Sequence, residues 1–136
     1  DCPFQSADKI LDIIKKETDI IVVDFHAEAT SEKESLGWFL DGRASVVFGT
    51  HTHVQTADDR VLPNGTAYIT DIGMAGSEDS VLGMEKEPII KKFQTQMPTR
   101  FTPAKNNSLI FNGIKCKIDV DTGKALSIER LYYRFN

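Results

Sequence analysis

Ile20-Ile21-Val22-Val23-Asp24-Phe25-His26 is the stretch that decides the fold. Its first six residues form a β-branched apolar run of strand length, the kind buried on both faces in parallel sheets. Upstream, Ser6–Glu17 places Ile10, Ile13, Ile14 and Leu11 on one side at helical spacing. Ser6 is positioned to cap that helix, and Lys15 and Lys16 fall in its last turn, where the dipole favours cations. A helix running into a buried strand is the unit of an α/β fold. Downstream, Ser31 and Glu34 make a capping box for a helix running to about Leu40 and stopped at Gly42. Ser45–Gly49 (SVVFG) is a second strand of the buried type. Val61–Leu62 and Thr66–Thr70 flank Pro63-Asn64-Gly65 as a hairpin. Pro88–Phe93 fits a helix with proline in its first turn. Leu109–Val120 and Ala125–Phe135 alternate as strands joined at Asp121-Thr122-Gly123. Gly73, Gly76 and Gly83 mark a flexible stretch without the spacing of a phosphate cradle.

Composition bounds what this α/β arrangement serves. The 136 residues suit one compact domain, or part of one, and contain no repeat or linker. With 20 acidic and 16 basic residues, a net charge of −4 and no Lys/Arg block, nothing points to nucleic acid bound through phosphate neutralisation. The longest apolar stretch, Ile20–Val23, is too short to span a bilayer, which argues against a membrane. Cys2 and Cys116 are unclustered, which fits a reducing, cytoplasmic compartment.

All three histidines lie between positions 26 and 53, each just after a predicted strand. His26 ends the first run, and Gly49-Thr50-His51-Thr52-His53 follows the second. Ligands bind beyond the carboxyl ends of strands in open α/β sheets, so adjacent strands would bring these imidazoles to one rim. In extended chain, residues two apart lie roughly 6.6 Å from each other and point the same way. Both rings of the His-x-His pair can then meet one metal, or each can take one of two metals about 3.5–4 Å apart. The bland reading is hydrogen-bonded loop residues, but three of three at strand ends favours metal. Asp24 shares a strand face with His26 and is placed to orient its ring; a strand-end Asp satisfied by backbone amides is the competing reading. Thr52 is either a donor to substrate or a spacer, and Thr30 and Ser31 read as helix caps.

These residues belong to a wider pattern. Val23-Asp24-Phe25-His26-Ala27-Glu28-Ala29-Thr30-Ser31-Glu32-Lys33, Leu40-Asp41-Gly42-Arg43, Gly49-Thr50-His51-Thr52-His53-Val54-Gln55-Thr56-Ala57-Asp58 and Gly65-Thr66-Ala67-Tyr68-Ile69-Thr70-Asp71-Ile72-Gly73-Met74 closely resemble the YmdB-like bacterial metallophosphoesterases. Pro98-Thr99-Arg100-Phe101 and Asp121-Thr122-Gly123-Lys124-Ala125 extend the likeness over nearly the whole chain. The resemblance implies a calcineurin-like phosphoesterase fold, an α/β two-sheet sandwich flanked by helices, with a dinuclear metal centre at the strand ends. It implies hydrolysis of phosphodiesters, with cyclic nucleotides or other small phosphodiesters as substrates. Carried over residue by residue, His26 and His51 should bind one metal and His53 the other. Nitrogen donors suit Fe, Mn, Zn or Co better than Mg or Ca.

The chain departs from the family at its start. The Asp-, Glu- and Asn-bearing motifs that supply the bridging carboxylate, and the histidine that protonates the leaving group, have no counterpart here. Asp1-Cys2-Pro3-Phe4 matches a segment near the middle of full-length members, so residues 1–136 are expected to be the C-terminal part of a single metallophosphoesterase domain, with the N-terminal half of the same protein as partner and the catalytic proton donor there. A homo-oligomer is open. Alternatives are a phosphomonoesterase, or a non-catalytic regulatory module in which three histidines and a water hold one cation. Closed four-ligand zinc sites favour cysteine, and neither Cys2 nor Cys116 lies near the histidines, which counts against the module.

Overall fold

A computed structural model describes residues 1–135. The elements run α1 (Pro3–Ile14), β1 (Val22–His26), α2 (Thr30–Phe39), β2 (Val46–Thr50), β3 (Arg60–Val61), β4 (Ala67–Ile69), β5 (Ala75–Ser77), α3 (Lys86–Thr95), β6 (Leu109–Ile118) and β7 (Ala125–Phe135). They make two sheets. The first has the order β1-β2-β4-β3, with β1, β2 and β4 parallel and β3 antiparallel to β4. The second is an antiparallel β5-β6-β7 sheet.

The helices cover one face of the first sheet, and the second sheet covers only part of the other. Val47 and Tyr68 face the helices, in a core with Leu11 of α1 and Leu36 and Leu40 at the C-terminal end of α2, and Val23 and Phe25 pack against it. The opposite face carries Val46 and Ala67, which meet Ala125, Ile114, Cys116 and Ile128 of the second sheet. The expected α/β arrangement of two sheets with flanking helices is therefore present. No helix among the described residues is long and apolar enough to cross a membrane.

Several local expectations change. β1 is not buried on both faces: Val22 is 58% exposed. β1 is the edge of its sheet, and β7 lies over β3 and β4, so Val22, Asp24 and His26 are left uncovered. α1 begins at Pro3, whose fixed φ suits the first turn, and Ser6 lies inside the helix with its N–H bonded to the Cys2 carbonyl. Lys15 is the C-cap rather than a last-turn residue. α2 likewise starts two residues early, from an extended Ala29, and neither Thr30 nor Ser31 caps it with a side chain. The glycine-rich stretch contains β5, which pairs with Leu109–Phe111. The three predicted hairpin and helix signals at 61–70, 88–93 and 109–135 hold, with a bulge at Lys117/Ile118.

Candidate metal centre

The carboxyl ends of β1, β2 and β4 bring His26, Thr50-His51 and Asp71 to one rim. β1 and β2 are in register with His26 beside Thr50. The Thr50 hydroxyl has one proton, which it donates to Asp24 Oδ1 at 3.1 Å. Its oxygen therefore accepts from His26 Nδ1–H at 3.0 Å. That order leaves the lone pair of His26 on Nε2. His26 Nε2 lies 3.1 Å from His51 Nδ1, which donates to it when no cation is present. The two rings meet edge to face, with centroids 5.1 Å apart.

The spacing fits a shared cation. Two nitrogens each about 2.1 Å from one ion lie roughly 3.0–3.4 Å apart in octahedral or tetrahedral geometry. With the His51 proton on Nε2 instead of Nδ1, two neutral imidazole nitrogens would converge on a point. Asp24 thus fixes the His26 tautomer, acting through Thr50 and not by touching the ring itself.

His51 and His53 do not share a direction. The expectation of two rings on one side assumed extended chain, but His51 has φ 119° and His53 has φ 64°. These left-handed values turn the second ring away, and His53 Nδ1–H donates to the Leu82 carbonyl at 3.1 Å. Its Nε2 is then the free donor, at a separate point from the His26–His51 pair. Among the described residues no three His, Cys, Asp or Glu side chains converge on one point.

A buried ion pair holds this strained loop in place. Lys33 Nζ and Asp71 Oδ2 lie 3.1 Å apart with side chains 1% and 0% exposed. Lys33 Nζ also donates to the Thr50 carbonyl at 3.2 Å. Asp71 accepts from the backbone N–H of Thr52 at 2.9 Å through Oδ2 and from that of Gly73 at 3.0 Å through Oδ1. Burial raises the Asp71 pKa, but those amides and Lys33 outweigh it and hold the carboxyl below its usual range. Gly49 is required beside the pair, because a Cβ there would collide with the Thr70 carbonyl and the Lys33 stem. Thr52 is a spacer: its hydroxyl bonds both ways with Val54 in a local turn. Asp58, burial notwithstanding, is likewise held below its usual pKa by hydroxyls of Thr56 and Thr70, behind the rim.

Sequence reading missed Lys33 and Asp71. The signals were available: Lys33, Leu36 and Leu40 share one helical stripe, and Asp71 follows a strand as the histidines do.

This two-sheet α/β fold thus gathers histidines and a carboxylate at the carboxyl ends of its parallel strands. The chain belongs to the YmdB-like protein family, whose model matches residues 1–131. It is 56% identical over 131 residues to a Bacillus subtilis protein named 2′,3′-cyclic-nucleotide 2′-phosphodiesterase, covering 96% of this chain and 49% of that one. The crystal structure of a hypothetical protein from Thermus thermophilus superposes with a TM-score of 0.92 at 39% identity, covering all of this chain and 52% of its own. That of a novel phosphatase from Mycoplasma pneumoniae gives 0.90 at 38% identity, covering 98% and 47%. The chain spans about half the length of the relatives it matches.

Proposed function

We propose that the natural-length protein is a metal-dependent phosphodiesterase of the calcineurin-like fold, acting on small phosphodiesters and on cyclic nucleotides among them. The observation that carries this reading is the convergence of His26 Nε2 and His51 Nδ1 at 3.1 Å, with the His26 tautomer set by Thr50 and Asp24. The name of the Bacillus subtilis relative supports both the substrate class and the reaction class.

In this reading His26 and His51 hold one cation and His53 takes part in holding a second. The ions would supply positive charge to the phosphate oxygens and make a water acidic near neutral pH. The chain's own residues do the arranging. Thr50 keeps a proton on His26 Nδ1, the Leu82 carbonyl keeps one on His53 Nδ1, and Lys33 with Asp71 fixes the backbone between them. Nitrogen donors favour Fe, Mn, Zn or Co. The remaining ligands and the proton donor to the leaving alkoxide belong to the N-terminal half of the protein. The 136-residue chain alone is accordingly expected to bind metal weakly and to hydrolyse nothing.

The test is metal content and hydrolysis of 2′,3′-cyclic AMP in the natural-length protein. Two ions per chain and a loss of about 1000-fold in kcat/KM on His51→Ala are expected. A single ion with no hydrolysis would favour the regulatory module instead.

A further inference from the structure

Beside His53 the α3 segment builds an apolar cleft of about 290 Å³, lined by His53, Leu82, Met84, Ile89, Phe93 and Phe101. That volume is near the lower end of the range for small-ligand pockets. Two local features make the cleft. Ile89, Lys92 and Phe93 stand three and four residues apart, so they share one face of α3, and the buried Ile89 anchors that face. Opposite, the chain at 102–104 is tied to 83–85, which brings Phe101 to the cleft. There the Glu85 N–H donates to the Thr102 carbonyl and the Ala104 N–H to the Gly83 carbonyl, each at 2.9 Å.

The two aromatic rings of the lining differ in what is already on them. Phe101 carries Lys92, whose Nζ lies 4.8 Å from the ring centroid. Phe93 is 76% exposed although it borders apolar neighbours. An aromatic ring left open to water at an apolar cleft is surface that a ligand can cover. Charge narrows what that ligand is. Lys92 and His53 are the titratable groups of the lining, and among the described residues no carboxylate joins them. An acyl chain would gain nothing from the lysine, and an anion alone would gain nothing from the apolar walls. A flat aromatic group attached to an anion gains from both, and a nucleobase attached to a phosphate is such a group. His53, read above as a cation donor, is the wall that the cleft shares with the metal rim.

We infer that this cleft receives the base of the substrate, stacked on Phe93, while the phosphate is held at the histidine rim. The inference rests on the phosphodiesterase reading above and adds the specificity element of that site.

The test uses the natural-length protein and two five-membered cyclic diesters, 2′,3′-cyclic AMP and glycerol 1,2-cyclic phosphate, which has no base. Phe93→Ala should cut the preference for 2′,3′-cyclic AMP, taken as the ratio of the two kcat/KM values, by about tenfold, the worth of one base on one ring. Phe93→Trp, which keeps a stacking face, should hold the ratio within about threefold of the original. Calorimetric titration with adenosine supplies a readout that needs no turnover, and Phe93→Ala should weaken its Kd by about tenfold. With the ring so exposed, the substitution does not put folding at stake. A ratio and an adenosine Kd that Phe93→Ala leaves unaltered would overturn the proposal, as would the absence of adenosine binding. Adenosine binding that depends on Phe93, in a protein that cleaves neither diester, would sink the phosphodiesterase reading alone. Cleavage of 2′,3′-cyclic AMP with a ratio indifferent to Phe93→Ala would sink the cleft alone.

Discussion

The rim of the parallel strands and the long β6–β7 hairpin are both tied by ion pairs, and the two ties differ in kind. On the hairpin, Arg134 meets Glu78 at 2.7 Å with side chains 62% and 27% exposed. At the rim, Lys33 and Asp71 stand further apart, at 3.1 Å, yet solvent reaches neither. Distance ranks these pairs in the wrong order. Water screens the hairpin pair and solvates either partner alone, whereas a charge left single at the rim has no such refuge. The buried pair also has a job the exposed one lacks, because its hydrogen bonds end on Thr50 and Thr52, the residues on either side of His51.

Removing one partner at a time is the strongest way to break this contrast. Lys33→Ala in the natural-length protein should lower the free energy of unfolding by about 3–5 kcal/mol in urea titrations, since Asp71 is left uncompensated. A loss below 1 kcal/mol would place the rim pair in the same class as the hairpin pair. A smaller effect is expected from acid. The folded-state pKa of Asp71 lies below its unfolded value, so its contribution is complete above roughly pH 4 and fades as pH falls through the depressed native value. Asp71→Asn should therefore flatten the acid limb of a stability–pH profile below about pH 4, and an unchanged limb would remove Asp71 as its source. The smallest effect belongs to the hairpin: Arg134→Ala should leave the urea midpoint where it is.

The same contrast explains what the sequence disclosed. The strands at 20–25 and 45–49, the hairpins at 61–70 and 109–135 and the three strand-end histidines follow from local pattern: β-branched runs, turn residues and position after a strand. The direction of each ring did not, because extended geometry was assumed where His51 and His53 take positive φ. Nor did the exposure of Val22, since nothing in IIVVDF tells an edge strand from a central one. Lys33 and Asp71 are 38 residues apart and come together only through the packing of α2 on β2 and β4. Asp24 shares a strand with His26, but the hydroxyl that links them comes from a different strand.

The central claim is that His26 and His51 share one cation while His53 serves another. Anomalous diffraction from crystals of the natural-length protein grown with Mn²⁺ tests it most directly. Two manganese peaks per chain are expected, one bonded to both His26 Nε2 and His51 Nδ1 and the other to His53 Nε2. A single peak bonded to His51 and His53 together, with His26 free, would contradict it.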